Sequence, residues 1–140
     1  MFGNDRDSLR RYYQQCWHKK QHNQPMDALE QQIAQVIAEH PEYQSFINQE
    51  RSVGRDFLPE MGETNPFLHL GLHLGLREQI ATDRPTGIRA VYQKLLTTRD
   101  FHTTEHEMME CLAESIWQAQ RTNTVPDEQQ YLQKLMSLVG

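Results

Sequence analysis

Residues 65–82, NPFLHLGLHLGLREQIAT, decide the fold of this chain. Asn65 offers a side chain that can cap a helix, and Pro66 suits the first helical position, where its missing N–H costs nothing. From Phe67 onward the segment is apolar nearly all round at about 100° per residue, the pattern of a helix enclosed by others. It is too short and too interrupted to span a bilayer, and Asp83-Arg84-Pro85 ends it. Gly71 and Gly75, four apart, are spaced to let another helix approach the backbone closely. An enclosed helix needs helical neighbours, so the expectation is an all-α, compact helical bundle of about five or six helices, with the central helix near 66–82. One helical domain over residues 1–140 would hold it.

The flanking sequence supplies those neighbours. A first helix runs from about Ser8 to Lys20, with Leu9, Tyr12, Tyr13, Cys16 and Trp17 as its apolar stripe, and QHNQP breaks it. A second begins near Asp27 and runs into His40, where Pro41 disfavours continuation. Pro41 in turn suits the start of a short helix, PEYQSFIN. Residues 50–64, with Gly54, Pro59 and Gly62, read as a loop. GIRAVYQKLL is a shorter helix. Thr104 and Glu107 form a capping-box pattern opening a long helix to about Arg121. A last helix from near Pro126 keeps Tyr131, Leu132, Leu135 and Leu138 in register. No run shows the strict alternation of a half-buried strand.

Four histidines fall on the apolar faces of three of these segments. His40 lies with Leu29, Ile33, Val36 and Ile37; His69 and His73 lie with Leu76 and Ile80; His106 lies with Met109, Ala113 and Trp117. Each unsatisfied buried polar group costs about 1–3 kcal/mol, a large share of a typical stability of about 5–15 kcal/mol when four occur in one small core. The imidazoles must therefore share partners, and a metal ion satisfies them together. His69-x-x-x-His73 stacks two imidazoles on one helical face, and His106-x-x-x-Glu110 does the same with an imidazole and a carboxylate. The metal-ligand candidates are thus His40, His69, His73, His106 and Glu110. Glu30 sits at the edge of the His40 stripe, ten residues upstream, Glu107 and Glu114 lie farther round, and His102 joins if its helix starts early. Imidazole and carboxylate donors suit zinc or non-haem iron. In an enzyme, such an ion would activate water or bind dioxygen, with Glu30 or Glu114 accepting a proton.

Composition narrows the alternatives. With 140 residues, 37% hydrophobic and 24% charged, the chain belongs with soluble globular proteins. A net charge of −5 disfavours nucleic acid and anionic membrane as partners. The basic side chains Arg10, Arg11, Lys19 and Lys20, interleaved with Tyr12, Tyr13 and Trp17, could form an RNA surface. An amphipathic helix with buried aromatics and solvated charges is the better reading. Two cysteines without CxxC spacing suit a reducing cytoplasm, and the polar start MFGNDRDSLRR lacks the apolar core of an export signal. Cys111 has no histidine in register to make it a nucleophile. No glycine-rich phosphate loop or nucleophile elbow occurs, so no nucleotide cofactor is expected. A cytoplasmic metal-binding bundle is the leading reading. Its competitor is a non-enzymatic adaptor that binds another protein and whose histidine cluster is structural.

HPEY at 40–43, TNPFLHLGLHLGLREQ at 64–79, GIRAVY at 87–92 and HEMMECLAESIWQAQR at 106–121 resemble, in that order, a family of short proteobacterial proteins known only as domain of unknown function 1841. The resemblance covers nearly the whole chain. It implies a bacterial single-domain protein and brings no activity, substrate or cofactor with it. The ligand pattern alone is similar to that of hemerythrin-like bundles, which combine HxxxH, HxxxE and lone histidines around two irons. Here the motifs come in another order, and neither a fifth histidine in the ligand pattern nor a second bridging carboxylate is evident.

Overall fold

Acidic and amide side chains cap the starts of four helices. The computed structural model describes residues 5–49 and 65–140, and the loop read over 50–64 lies outside them. Seven helices occur there and no strand: α1 (Asp5–Gln21), α2 (Ala28–Ala38), α3 (Pro41–Ile47), α4 (Pro66–Thr82), α5 (Ile88–Leu95), α6 (Phe101–Thr122) and α7 (Glu128–Val139). The all-α class holds with seven helices among the described residues rather than about five or six, the short α3 and α5 falling where the sequence placed its two short helices. At His40 the backbone leaves the helical region (φ −125°, ψ 71°) and Pro41 starts α3. At Gly87 a φ of 108° starts α5.

Asp27 caps α2 in a reciprocal capping box with Glu30, and Asn65 Oδ1 accepts from the Phe67 and Leu68 amides at the start of α4. Asp127 caps α7 through the Gln130 amide. The start of α6 differs from the expected Thr104. Asp100 Oδ1 accepts from the Thr103 amide at 2.7 Å, so the helix begins at Phe101 and includes His102. Thr104, expected as the cap, lies inside the helix and is fully buried.

The chain forms two compact units, Met1–Gly71 and Leu72–Gly140, with the division inside α4. In the first, Tyr13, Cys16 and Trp17 of α1 and Ile33, Val36 and Ile37 of α2 are buried. The Phe67 ring lies 6.1 Å from Tyr13 and 5.8 Å from Phe46. Gln14 donates to the carbonyls of Ile47 and Gln49, tying the end of α3 to α1. Arg10 is buried, its guanidinium 4.8 Å from the Phe67 ring centre. Leu9 and Leu29, expected on inward stripes, are exposed.

The second unit has a continuous apolar core containing Leu76, Ile88, Leu95, Met108, Leu112 and Leu135. Tyr131 adds a hydrogen bond to Gln79 Oε1 at 2.7 Å. On α4 itself, burial follows a stripe of Phe67, Leu70, His73 and Leu76 rather than the full circumference, and Leu68 is exposed. A Cβ at Gly71 or Gly75 would meet its nearest neighbour at 3.7 or 3.9 Å, ordinary contact distances, so helix approach does not require either glycine.

Candidate metal centre

Three segments set the four histidines: the end of α2, α4 and α6. His40 ends the α2 segment, and its Nδ1 donates to the Val36 carbonyl at 2.8 Å. His106 on α6 repeats this one turn back, donating from Nδ1 to the His102 carbonyl at 2.8 Å. His73 on α4 makes a short hydrogen bond from Nδ1 to the Glu105 carboxylate. A carbonyl can only accept, so the proton of a neutral His40 or His106 sits on Nδ1 and the lone pair on Nε2. The carboxylate of Glu105 imposes the same tautomer on His73. His69 lies one turn before His73 on the same helix.

The rings pack edge to face. His40 lies 5.2 Å from His69, with the Tyr43 ring stacked on His40 at 5.6 Å. His73 lies 4.9 Å from His106. One ligand nitrogen from each of His40, His69, His73 and His106 lies within 4.8 Å of the others, a group that could hold a metal ion. Four nitrogens around a tetrahedral ion with bonds of about 2.0–2.1 Å are about 3.3–3.4 Å apart, a spacing shorter than the 4.8 Å bound of this group. His40 and His73 are buried, and His69 and His106 are half-buried.

The carboxylates are arranged differently from the sequence pattern. Glu110 is exposed and does not belong to the histidine group. Helical geometry explains this: relative to Glu105, the buried Met108, Leu112 and Met109 fall at roughly −60°, −20° and 40°, His106 at about 100° and Glu110 at about 140°. His106 therefore sits at the edge of the buried face, and four residues further on lies beyond it. Trp117, at about 120°, is 54% exposed for the same reason, and the Arg121 guanidinium covers its ring at 4.7 Å. Glu30 pairs with Lys19, and Glu114 with Lys134. Glu107 pairs with Arg99 at 2.7 Å. His102 does lie in α6, exposed, with its ring 4.1 Å from that of His106.

Glu105 went unrecognised in the sequence. It is 1% exposed, bonds His73, and receives Arg77 Nη2 at 2.9 Å and Arg77 Nε at 3.2 and 3.3 Å. Burial pushes its carboxyl up, but the hydrogen bonds from His73 and Arg77 and their charge outweigh this and hold it below the usual carboxylate range. Its signal in the sequence is position: with Asp100 as the cap, Glu105 joins Met108, Met109 and Leu112 on one stripe. The cysteines offer no nucleophile, since burial raises the Cys111 thiol and pushes that of Cys16 to about 11.

An all-helical chain with a cluster of inward imidazoles, one of them backed by a buried carboxylate, defines a helical protein with a candidate metal centre. Sequence comparison then places it: residues 5–137 match the family Domain of unknown function (DUF1841), and the chain belongs to that family. No curated protein and no solved structure matches it.

Proposed function

We propose that this protein binds one divalent transition-metal ion, zinc or iron(II), through the Nε2 atoms of His40, His73 and His106 together with an imidazole nitrogen of His69. One observation carries the reading. In three of the four imidazoles an acceptor fixes the proton on Nδ1, which turns the lone pair of the other nitrogen outward from that acceptor, the usual arrangement of metal-ligating histidine. The four ligands are neutral, so the ion would bring uncompensated positive charge, and Glu105 behind His73 is the nearest counter-charge built into the hydrogen-bond pattern. An all-nitrogen, thiolate-free set suits borderline divalent ions.

The test is metal analysis of protein purified without an affinity tag and reconstituted with zinc or iron(II). About one equivalent is expected. Less than about a tenth of an equivalent with either ion would overturn the assignment and favour a protein whose histidines are structural.

A further inference from the structure

We infer that Glu105 is the positioning residue of this centre: anchored by Arg77, it fixes the orientation and tautomer of His73 and thereby sets the affinity and geometry of the bound ion. This rests on the metal-binding reading above.

The observations are geometric. Glu105 is almost wholly enclosed, and a buried carboxylate is retained only where charge and hydrogen bonds satisfy it. Its partners come from a single helix, α4: His73 and, one turn later, Arg77. Arg77 bonds through two nitrogens, so Glu105 cannot rotate away from His73 without breaking both contacts. The guanidinium carbon of Arg77 also lies over the Phe101 ring, 5.7 Å from its centre. His40 and His106 point Nδ1 at carbonyls of their own helices, whereas His73 points at a side chain brought from another helix. His73 is therefore a ligand whose positioning can be tested by replacing one side chain, Glu105. A carboxylate behind a ligating imidazole also raises its basicity and partly neutralises the ion's charge.

The experiment compares native protein with Glu105→Gln, Glu105→Ala and Arg77→Met. Zinc affinity is measured by competition with a chelator of known affinity, cobalt(II) serves as an absorption probe of ligand geometry, and unfolding is followed separately. Glu105→Ala removes both orientation and charge and should weaken zinc binding tenfold to a hundredfold while shifting the cobalt(II) visible bands. Glu105→Gln keeps an acceptor for Nδ1 and should recover native band positions with an intermediate affinity. Arg77→Met should shift the bands as Glu105→Ala does, but less. Native affinity and native bands in Glu105→Ala, with native protein binding zinc, would overturn the positioning role and leave the metal centre standing. Should Glu105→Ala fail to fold, Glu105→Gln and Arg77→Met decide: both unchanged in affinity and bands overturns the role. Native protein that binds neither zinc nor cobalt(II) overturns the metal centre itself.

Discussion

His73 shows most plainly how one side chain can be read as a ligand. It is 3% exposed, its Nδ1 is committed to Glu105, and its helix places His69 one turn away. Changing both His69 and His73 to glutamine keeps polarity and approximate bulk but removes two imidazole donors. The double variant should stay helical and take up no zinc, measured by circular dichroism and metal analysis; native stoichiometry in it would show that these residues do not hold the ion. The histidines were legible because their spacing on apolar stripes is a local property of the sequence. Glu105 was not, because its burial depends on Arg77 and His73, 28 and 32 residues away, and no local pattern records such a partner. Glu110 drew attention through i,i+4 spacing from His106, which says that two side chains are neighbours but not which edge of the buried face they share.

Among the elements, α4 and α6 supply three of the four histidines, and their placement follows from how each helix starts. The Asn65-Pro66 start and the Thr82 end of α4 could be read directly, since cap and proline are adjacent in the chain. The start of α6 could not, because Asp100 and the Thr104–Glu107 pair are competing caps and only packing chooses between them. Asp100's carboxyl lies below its usual range, first because it accepts from the Thr103 amide. A carboxylate with a depressed folded-state pKa contributes stability above its unfolded pKa and loses it as pH falls through the folded value. Asp100→Asn, which caps without a charge, should therefore flatten the acid-side decline of stability, measured by unfolding between about pH 5 and pH 2; an unchanged slope would contradict the cap.

Within the second unit, Leu76 is fully buried in the apolar core, and Gln129 on α7 is exposed. Leu76→Ala should cost about 2–5 kcal/mol as a large-to-small change, while Gln129→Ala should stay within about 0.5 kcal/mol. Equal costs in urea unfolding would place the core elsewhere. The half-buried Leu72 should fall between them. Gly87, at φ 108°, is the one glycine among the described residues whose backbone would be strained by a side chain: Gly87→Ala should destabilise by more than about 1 kcal/mol, against the usual gain from replacing glycine.

For the whole molecule, an ion bound by the folded chain and not by the unfolded chain stabilises the fold by mass action. The sequence excluded a membrane span, and among the described residues no helix is long and apolar enough to cross one. Composition and periodicity sufficed for the all-α class, because helical amphipathicity repeats over every segment. The convergence of His40 with His106 did not follow from periodicity, since it depends on residues distant in the chain. The most direct measurement is the melting of zinc-loaded native protein with and without a chelator, each state verified by metal analysis. Native protein should lose stability on chelation by RT ln(1 + [L]/Kd), about 4 kcal/mol when free zinc stood at a thousandfold over Kd, and the His69→Gln/His73→Gln variant should lose none. A native melting curve that does not move between verified loaded and verified stripped protein would contradict the metal centre.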